Sequence, residues 1–363
     1  MGQMDPIKDM SGTGVMAGDG FYDRHSVTQR KGAALGLELL LRAVADLEPS
    51  DGLPVTVADL GAAQGHNSLA AMRTVVAALT ERHRGDINVV HTDLASNDWA
   101  TLFSVIDADP ESYLIGRDDV HPFVVGRSFY DRLFSQSGVH LAWTSSTLHW
   151  LSKQPGPIAD HFFVQSSTDA QAKERYRARS AADWTAFLAH RAVELVRSGS
   201  VVFVDVLMGD DGSMGSEALF DSLEASVRAA RDRGALSEAE YAATAYPTWF
   251  RSLAELQEPF DPEFIGPGGE RLAMVELDPV ELDDPFLADY QRDADAMAYG
   301  RAHAGFLRGF LEPSFRAVWP RAAHEQSALV AQVFDDTAAR IASDPEAVSP
   351  AYRLVTGRIS RVA

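Results

Sequence analysis

A glycine turn near residue 60 is the first feature of this sequence that could do chemistry. Gly61 and Gly65 lie four residues apart in the peptide VADLGAAQGHN, directly after a short apolar run that ends at Leu60. A glycine turn between a strand and a helix lets a ligand approach the backbone closely and presents amide donors to it. Dinucleotide-binding enzymes have a third glycine in such a turn, and P-loop enzymes have a lysine. Neither residue is present here, so the sequence disfavours both of those sites.

Two carboxylates accompany this turn. Asp59 lies inside the apolar run, where a buried carboxylate needs partners. Asp93 ends the next apolar run along the chain, where it either accepts hydrogen bonds from ribose hydroxyls or caps the following helix. The pattern D-x-G-x-x-x-G resembles the first motif of S-adenosylmethionine methyltransferases, in which the acid helps to hold the methionine moiety. Two acids after two consecutive strands therefore favour a nucleoside site, and we expect S-adenosylmethionine as the cofactor.

A more specific pattern lies in residues 128–155. This stretch, SFYDRLFSQSGVHLAWTSSTLHWLSKQP, closely resembles the SABATH family, the carboxyl methyltransferases of plants and some microbes that act on salicylate, benzoate, jasmonate and indole acetate. Residues 22–29, 57–69 and 91–103 resemble further motifs of the family in the same order. The likeness is dense from about residue 18 to residue 155 and sparse beyond. It implies methyl transfer from S-adenosylmethionine to the carboxylate of a small acid.

The resemblance also implies a set of binding residues. By family likeness, the substrate carboxylate is expected between Gln29 and Trp150, the two predicted catalytic residues. His149 either lines the acid pocket or only bonds a backbone carbonyl. No metal site is predicted. The cofactor contacts are expected at Ser26, Asp59, Gly61, Asn67, Asp93, Leu94, Ser128, Phe129 and Ser145.

The chemistry of these two side chains suits a carboxylate substrate. A carboxylate has only acceptor oxygens, and an indole N–H and an amide NH₂ are both donors. The nucleophile has a pKa of about 4–5 and is already ionised at neutral pH, so direct displacement needs no general base. Uncharged donors also hold the anion without stabilising the ground state as strongly as an arginine would.

The remaining pocket walls are predicted in the carboxyl-terminal half. Trp249, Phe250, Phe306, Leu307 and Phe310 lie in apolar helical stretches, where they either line the acid pocket or belong to the core. The resemblance extends to bacterial fatty-acid methyltransferases, and the absence of Cys, the high Ala content and the acidic bias are more typical of a bacterial chain than of a plant one. We therefore expect a lipophilic free acid, with a medium-chain fatty acid ahead of benzoate-like or indole-type acids.

Alternating strands and helices must position these residues. Strand-like runs end just before each chemical motif, at residues 55–60, 87–91, 139–143 and 201–207. Helical spacing is found at residues 68–79 and 181–196, and further strands are predicted at residues 271–277 and, as a final edge strand, 352–362. This order predicts an α/β fold with an open, largely parallel sheet whose ligands bind at the carboxyl ends of its strands. The family resemblance implies that it is a Rossmann-like class I methyltransferase sheet.

A helical cap is predicted to cover that sheet. The S-adenosylmethionine-binding core is expected in residues 1–208, completed by 271–285 and 345–363. Two helical blocks, residues 209–270 and 286–344, are expected to form the cap and the acid pocket.

Composition excludes several other classes. The 363 residues carry 32 Lys and Arg against 52 Asp and Glu, a net charge of −20 that disfavours nucleic acids and anionic lipid as partners. Without Cys there is no disulfide or thiol catalysis. The first twenty residues show no signal-peptide stretch and no run of about 18 apolar residues is present, so we expect a cytoplasmic protein without a membrane span. A homodimer is typical of the family.

Other functions remain open at this point. A nicotinamide-dependent oxidoreductase uses the same kind of sheet, although the missing third glycine disfavours it. A catalytically silent protein could retain the nucleoside site, although the presence of Gln29 and Trp150 disfavours that. Within the family, N-methylation of the kind carried out by the xanthine branch is also compatible.

Overall fold

The structure is a computed structural model that describes residues 13–49, 52–83 and 85–363. The strands are β1 (Val55–Leu60), β2 (Ile87–Asp93), β3 (Val120–Gly126), β4 (Val139–Ser145), β5 (Leu195–Val206), β6 (Phe264–Ile265), β7 (Arg271–Asp283) and β8 (Ala351–Arg361). The α-helices are α1 (Phe21–His25), α2 (Val27–Ala34), α3 (Leu37–Ala45), α4 (His66–Arg82), α5 (Trp99–Ala108), α6 (Ala170–Glu194), α7 (Glu217–Asp232), α8 (Glu238–Ala243), α9 (Leu253–Gln257), α10 (Leu287–Asp293), α11 (Ala296–Val318), α12 (Ala323–Ser343) and α13 (Pro345–Val348). Short 3₁₀ helices span Val164–Ser166 and Glu258–Phe260.

All eight strands belong to one sheet, in the order β3-β2-β1-β4-β5-β8-β7-β6. The first five of these strands run parallel, and β8, β7 and β6 pair antiparallel. The chain runs outward from β1 to β3 and then returns to place β4 on the other side of β1. Ligands of open α/β sheets bind in the crevice at such a switch point, outside the carboxyl ends of the strands. The predicted Rossmann-like α/β sheet is confirmed.

The burial of the strands explains which of them the sequence indicates. In β1 only Thr56 is not fully buried, because helices cover both faces of the sheet. Strand β3 was not predicted, since it is an edge strand whose residues, including Phe123 and Val124, are largely exposed and which contains Pro122. The prediction of residues 352–362 as an edge strand was wrong: β8 lies between β5 and β7 and is almost continuously buried.

Two helices that frame the sheet show how local signals set their ends. Helix α4 begins after Gly65 and buries Leu69, Met72 and Leu79 on one face, as the spacing predicted. Helix α6 is longer at its start than the predicted 181–196, because the Asp169 side chain accepts hydrogen bonds from two backbone N–H groups of its first turn. It ends at Glu194, since the next residues begin β5.

The carboxyl-terminal helices surround the end of the sheet that carries the glycine turn. Helices α11 and α12 pack along each other, and α12 also packs against α7. The predicted division into a core and a cap stays a prediction, and the first twelve residues of that predicted core lie outside the described residues. In the ranges that the structure describes, no helix combines the length and the apolar character needed to cross a membrane.

Candidate active site

Two cavities adjoin at the carboxyl ends of the parallel strands. The first, here named the strand-end cavity, encloses about 880 Å³ of empty space, its mouth included. It is lined by Thr13, Gly14, Met16, Tyr22, Gly61, Ala63, Asp93, Leu94, Ser128, Phe129, Tyr130, Ser145, Ser146, Thr147, Trp150, Leu151 and Ser152.

The second, here named the aromatic cavity, encloses about 660 Å³ on the same measure. It is lined by Met16, Tyr22, Thr28, Gln29, Gly32, Ser146, His149, Trp150, Val206, Ser216, Phe220, Tyr246, Phe250, Leu282, Phe306, Phe310, Tyr352 and Leu354. The two cavities share Met16, Tyr22, Ser146 and Trp150, so they meet along a common wall.

The glycine turn forms the floor of the strand-end cavity at the switch point between β1 and β4. Gly61 has a φ of 82°, and a Cβ at this position would overlap the side chain of Thr147. Both the backbone conformation and the close approach therefore require glycine here. The turn leaves the backbone bare toward the cavity, which is what a ligand that approaches it closely needs.

Asp93 places a fixed carboxylate in the wall of the strand-end cavity. One of its oxygens accepts a hydrogen bond from Ala63 N at 2.8 Å, and the other accepts one from Leu94 N at 2.7 Å. Burial is the main cause that raises the pKa of Asp93 to about 6. The two backbone donors use one lone pair of each oxygen, so the carboxylate keeps acceptor capacity for ligand hydroxyls.

Leu94, Ser128, Phe129 and Ser145 also line this cavity, as the family likeness implied. Ser145 is the last residue of β4, and within the described part of the chain its buried hydroxyl has no hydrogen-bond partner. A buried polar atom without a partner costs free energy unless a ligand or water satisfies it. The cavity therefore holds an acceptor, Asp93, and an unsatisfied hydroxyl on opposite sides of the glycine turn.

Asp59, Ser26 and Asn67 do not line either cavity. Asp59 is buried beneath the turn, where its Oδ2 lies 2.7 Å from His91 Nδ1. Ser26 is fully buried, and its hydroxyl lies 3.1 Å from Asn67 Oδ1. In the structure the Asp59 Oδ2, Ser26 Oγ and Asn67 Oδ1 atoms already have protein partners, and the role of these residues as cofactor contacts stays a prediction.

Gln29 and Trp150 come together at the aromatic cavity, as predicted. The Gln29 Oε1 atom is buried and has no hydrogen-bond partner among the described residues. The amide O and N atoms can exchange places by a flip, so this side chain can present its NH₂ group to a ligand. Trp150 is 5% exposed, and its ring packs against Gly14 and, at a centroid distance of 5.1 Å, edge-on against Tyr246.

His149 also lines the aromatic cavity. Its Nδ1 lies 2.6 Å from Asp205 Oδ1, so the ring is held by a carboxylate and not by a backbone carbonyl. The described residues that line this cavity include no Lys, Arg, Asp or Glu. Any anion bound there would therefore be held by uncharged side chains or by His149.

Two predicted substrate residues lie outside the cavity. Trp249 packs in a separate cluster with Leu151 and Ile158, and its Nε1 donates to the Glu255 carboxylate at 3.2 Å. Leu307 is fully buried in the main core. The prediction that these two side chains line the pocket does not fit this geometry, because neither belongs to the walls of either cavity.

Their neighbours Phe250, Phe306 and Phe310 do line the cavity. Phe306 and Phe310 are four residues apart in α11 and so share one face of that helix, from which Leu307 is rotated. Helical spacing could therefore have distinguished Phe306 and Phe310, which line the cavity, from Leu307, which does not.

Tyr22, Phe220, Tyr246 and Tyr352 also line this cavity and were not predicted as site residues. Tyr22 begins the amino-terminal motif of the family likeness, but no periodicity in the sequence shows that these four residues, which come from separate elements, meet in the fold.

Comparison with known proteins agrees with this arrangement. The family model described as "SAM dependent carboxyl methyltransferase" matches residues 10–353. Salicylate/benzoate carboxyl methyltransferase of Arabidopsis thaliana is 26% identical over 82% of this chain and 81% of its own. Gibberellic acid methyltransferase 2 of the same plant is 26% identical over 84% of both chains. A 3,7-dimethylxanthine N-methyltransferase of Camellia sinensis var. assamica is 25% identical over 92% of this chain and 91% of its own.

A solved structure supports the fold. Loganic acid methyltransferase with SAH superposes with a TM-score of 0.78 at 18% identity, over 96% of this chain and 99% of that one. With the family model matched over nearly the whole chain, this protein belongs to the S-adenosylmethionine-dependent carboxyl methyltransferases, the SABATH family that its motifs indicate.

Proposed function

We propose that this enzyme transfers the methyl group of S-adenosylmethionine to the carboxylate of a small lipophilic free acid and releases the methyl ester. The observation that carries the proposal is the position of Trp150, whose indole belongs to the walls of both cavities. A displacement between two bound molecules needs their reacting atoms side by side. The wall that the cavities share is where two ligands, one in each cavity, would meet.

The strand-end cavity fits the methyl donor. Asp93 would accept hydrogen bonds from the ribose hydroxyls, and the unpartnered Ser145 hydroxyl would gain a partner. The ring of Phe129, tilted by 53° against Tyr130, offers a face for the adenine base. When bound, the donor supplies a sulfonium methyl group that is open to direct displacement.

The aromatic cavity fits the acid. Gln29 and the Trp150 indole would donate to the carboxylate oxygens and point one of them at the shared wall. The carboxylate is already ionised at neutral pH, so these residues orient the nucleophile and exclude water, and no base removes a proton. Orientation of this kind can supply roughly 7–11 kcal/mol of the barrier. Uncharged donors suit the step, because the negative charge disappears as the ester forms.

The rest of the cavity favours a lipophilic acid. Phe220, Phe250, Phe306, Phe310 and Leu354 provide apolar walls beyond the polar end. A medium-chain fatty acid is the first candidate, in line with the composition and the resemblance to bacterial fatty-acid methyltransferases. An aromatic or indole-type acid is the second candidate: the ring walls suit a flat substrate, and the relatives include a salicylate/benzoate enzyme. Assignment of the chain to a carboxyl methyltransferase family removes the support for a nicotinamide-dependent oxidoreductase.

A panel of acids tests the proposal. The enzyme is incubated with methyl-labelled S-adenosylmethionine and octanoate, decanoate, benzoate, salicylate or indole acetate, and the methyl ester is extracted into solvent and counted. A xanthine is included as an N-methyl acceptor. Ester from the alkanoates alone selects the first candidate, and ester from the ring acids alone selects the second. Label in the xanthine and in no acid would contradict the proposal.

Cytoplasmic location and a homodimer stay predictions, which fractionation of the source cells and light scattering of the pure protein would test.

A further inference from the structure

Three buried polar side chains form a row that ends in the aromatic cavity. Asp205 lies in β5, His149 follows β4, and Tyr246 lies in the segment between α8 and α9. His149 Nδ1 is 2.6 Å from Asp205 Oδ1, and His149 Nε2 is 3.2 Å from the Tyr246 hydroxyl. All three side chains are at least 95% buried, and both His149 and Tyr246 line the cavity. The methyl transfer described above uses none of these three groups.

The stability of the fold does not explain why these three polar side chains lie together. A buried ion pair commonly contributes no more than well-packed apolar side chains of the same volume. The surroundings are apolar and aromatic: Trp150, Phe250 and Tyr246 all have ring centroids within 6.3 Å of the His149 ring. Among the described residues, Tyr22 lies near Tyr246, and Tyr130 lies near both Asp205 and Arg251, whose guanidinium bonds the carbonyls of Leu148 and Ser180.

Tyr246 is suited to donate a proton in a hydrogen bond and not to remove one. Burial, with the charge of Asp205 as the next cause, raises the pKa of the Tyr246 hydroxyl well above its ordinary value. The hydroxyl therefore stays protonated, and its single O–H points either to His149 Nε2 or to a ligand. It can donate to a ligand and keep its bond to His149 only when Nε2 itself carries a proton. In that state His149 is an imidazolium next to the Asp205 carboxylate.

We propose that Tyr246 is a third donor to the substrate carboxylate, and that Asp205 and His149 are positioning residues that turn its O–H toward the acid. This inference rests on the proposed function and deepens it. An acid anion beside Asp205 would place two negative charges in a buried site, and a proton on His149 lowers that net charge to one. The neutral ester needs no such proton. The transfer itself stays balanced: the carboxylate oxygen gains the methyl group, the sulfonium becomes a thioether, and the proton on His149 returns to solvent.

The proton on His149 determines the direction in which pH changes the affinity for the acid. The bound acid favours the protonated imidazole, so a proton is taken up when the acid binds. Affinity for the acid is therefore higher at lower pH and falls as the pH rises. The dependence belongs to the Michaelis constant of the acid, because the imidazole takes no part in the displacement.

The experiment uses whichever acid of the panel is methylated best and measures its KM and kcat across neutral and alkaline pH. Tyr246→Phe should raise KM about tenfold, which is the loss expected for one hydrogen bond to a charged group. The kcat of this variant should stay nearly unchanged. Asp205→Asn should shift the alkaline rise of KM to lower pH, and His149→Gln should remove it. His161→Gln is the matched control, because His161 is also a buried histidine paired with a carboxylate, Asp221, but lines neither cavity.

Two further measurements separate the possible failures. Binding of S-adenosylhomocysteine to each variant shows that it is folded, and if Asp205→Asn does not fold, Tyr246→Phe still tests the contact because it removes a single oxygen. Calorimetric titration of the acid in buffers of different ionisation enthalpy should show proton uptake at alkaline pH by the wild type and not by His149→Gln. Unchanged KM in Tyr246→Phe, or the same pH profile in Asp205→Asn, overturns the inference while leaving ester formation intact. Absence of any ester from the wild type overturns the proposed function and this inference together.

Discussion

The strand-end cavity and the aromatic cavity differ in how the chain builds them. The amino-terminal segment contributes some residues to the strand-end cavity. Its other residues lie at or just after the carboxyl ends of β1, β2, β3 and β4, so each of these parts of the wall is a short stretch at a strand end. The aromatic cavity draws on α2, α7, α11 and β8 and on the segment that holds Tyr246. The topology of the sheet therefore fixes the first cavity, whereas long-range packing shapes the second. We infer that donor binding is the more general property of this fold and that acid selection is the more variable one.

The largest effect is expected where the sheet itself shapes the first cavity. Gly61→Ala should lower the affinity for S-adenosylhomocysteine more than about 100-fold, because the new Cβ overlaps Thr147 at a φ that disfavours any side chain. Calorimetric titration measures the affinity. Gly52→Ala is the control: Gly52 also has a positive φ, 75°, but a Cβ there meets no atom within 4 Å. Equal affinities in the two variants would contradict the steric argument.

The next effect tests the wall that the cavities share. Trp150→Phe keeps most of the ring and removes the N–H donor, so kcat/KM for the acid should fall about 10–100-fold. The dissociation constant for S-adenosylhomocysteine should change by less than about twofold, since packing is kept. Trp249→Phe is the matched control, because its indole bonds Glu255 outside both cavities. A loss of activity of the same size in both variants would remove the special role of Trp150.

A smaller effect concerns the carboxylate of the strand-end cavity. Asp93→Asn should weaken S-adenosylhomocysteine binding about tenfold, the value of roughly one hydrogen bond to a charged acceptor. In the wild type, affinity should be full above a pH of about 6 and fall below it, because protonation of Asp93 removes the acceptor. The acid branch of the pH profile should vanish in the variant. A wild-type affinity that does not change between neutral and mildly acidic pH would contradict the role of Asp93.

The smallest effect is expected in the apolar wall of the aromatic cavity. Phe306→Leu should change the preference between octanoate and benzoate only a few-fold, since it alters one contact worth about 1 kcal/mol. Competition between the two acids, with both esters quantified, measures the ratio. Leu307→Val is the control: it removes a buried methylene next in sequence and should lower stability by about 1 kcal/mol without changing the ratio. A shift in the control alone would place the acid elsewhere.

The sequence indicated the strand-end cavity in more detail than the aromatic one. Gly61 and Asp93 could be placed because each comes where a visible apolar run ends, and family likeness indicated Ser145. Asp59 was placed at the right turn, but its side chain points to His91, and the sequence does not reveal a partner that lies 32 residues away.

The aromatic cavity was only partly predictable, because its walls also depend on contacts between residues that are far apart in the sequence. Family likeness indicated Gln29 and Trp150, and the apolar helical stretches indicated the phenylalanines. Neither signal shows which face of a helix meets a cavity. Tyr246 and Tyr352 contribute through tertiary packing, which has no local period. Strand β3 escaped prediction because its apolar run, Phe123 to Val125, is only three residues long and directly follows Pro122.

The shared indole has a consequence for how this enzyme could acquire new substrates. Loss of the whole Trp150 ring would remove part of the wall of the donor compartment and of the acid compartment together, so selection on either activity constrains this position. Phe306 and Phe310 line only the aromatic cavity, so they can vary without changing the wall of the donor compartment. Diversification of the acid can thus proceed at these positions while the donor compartment is left unchanged.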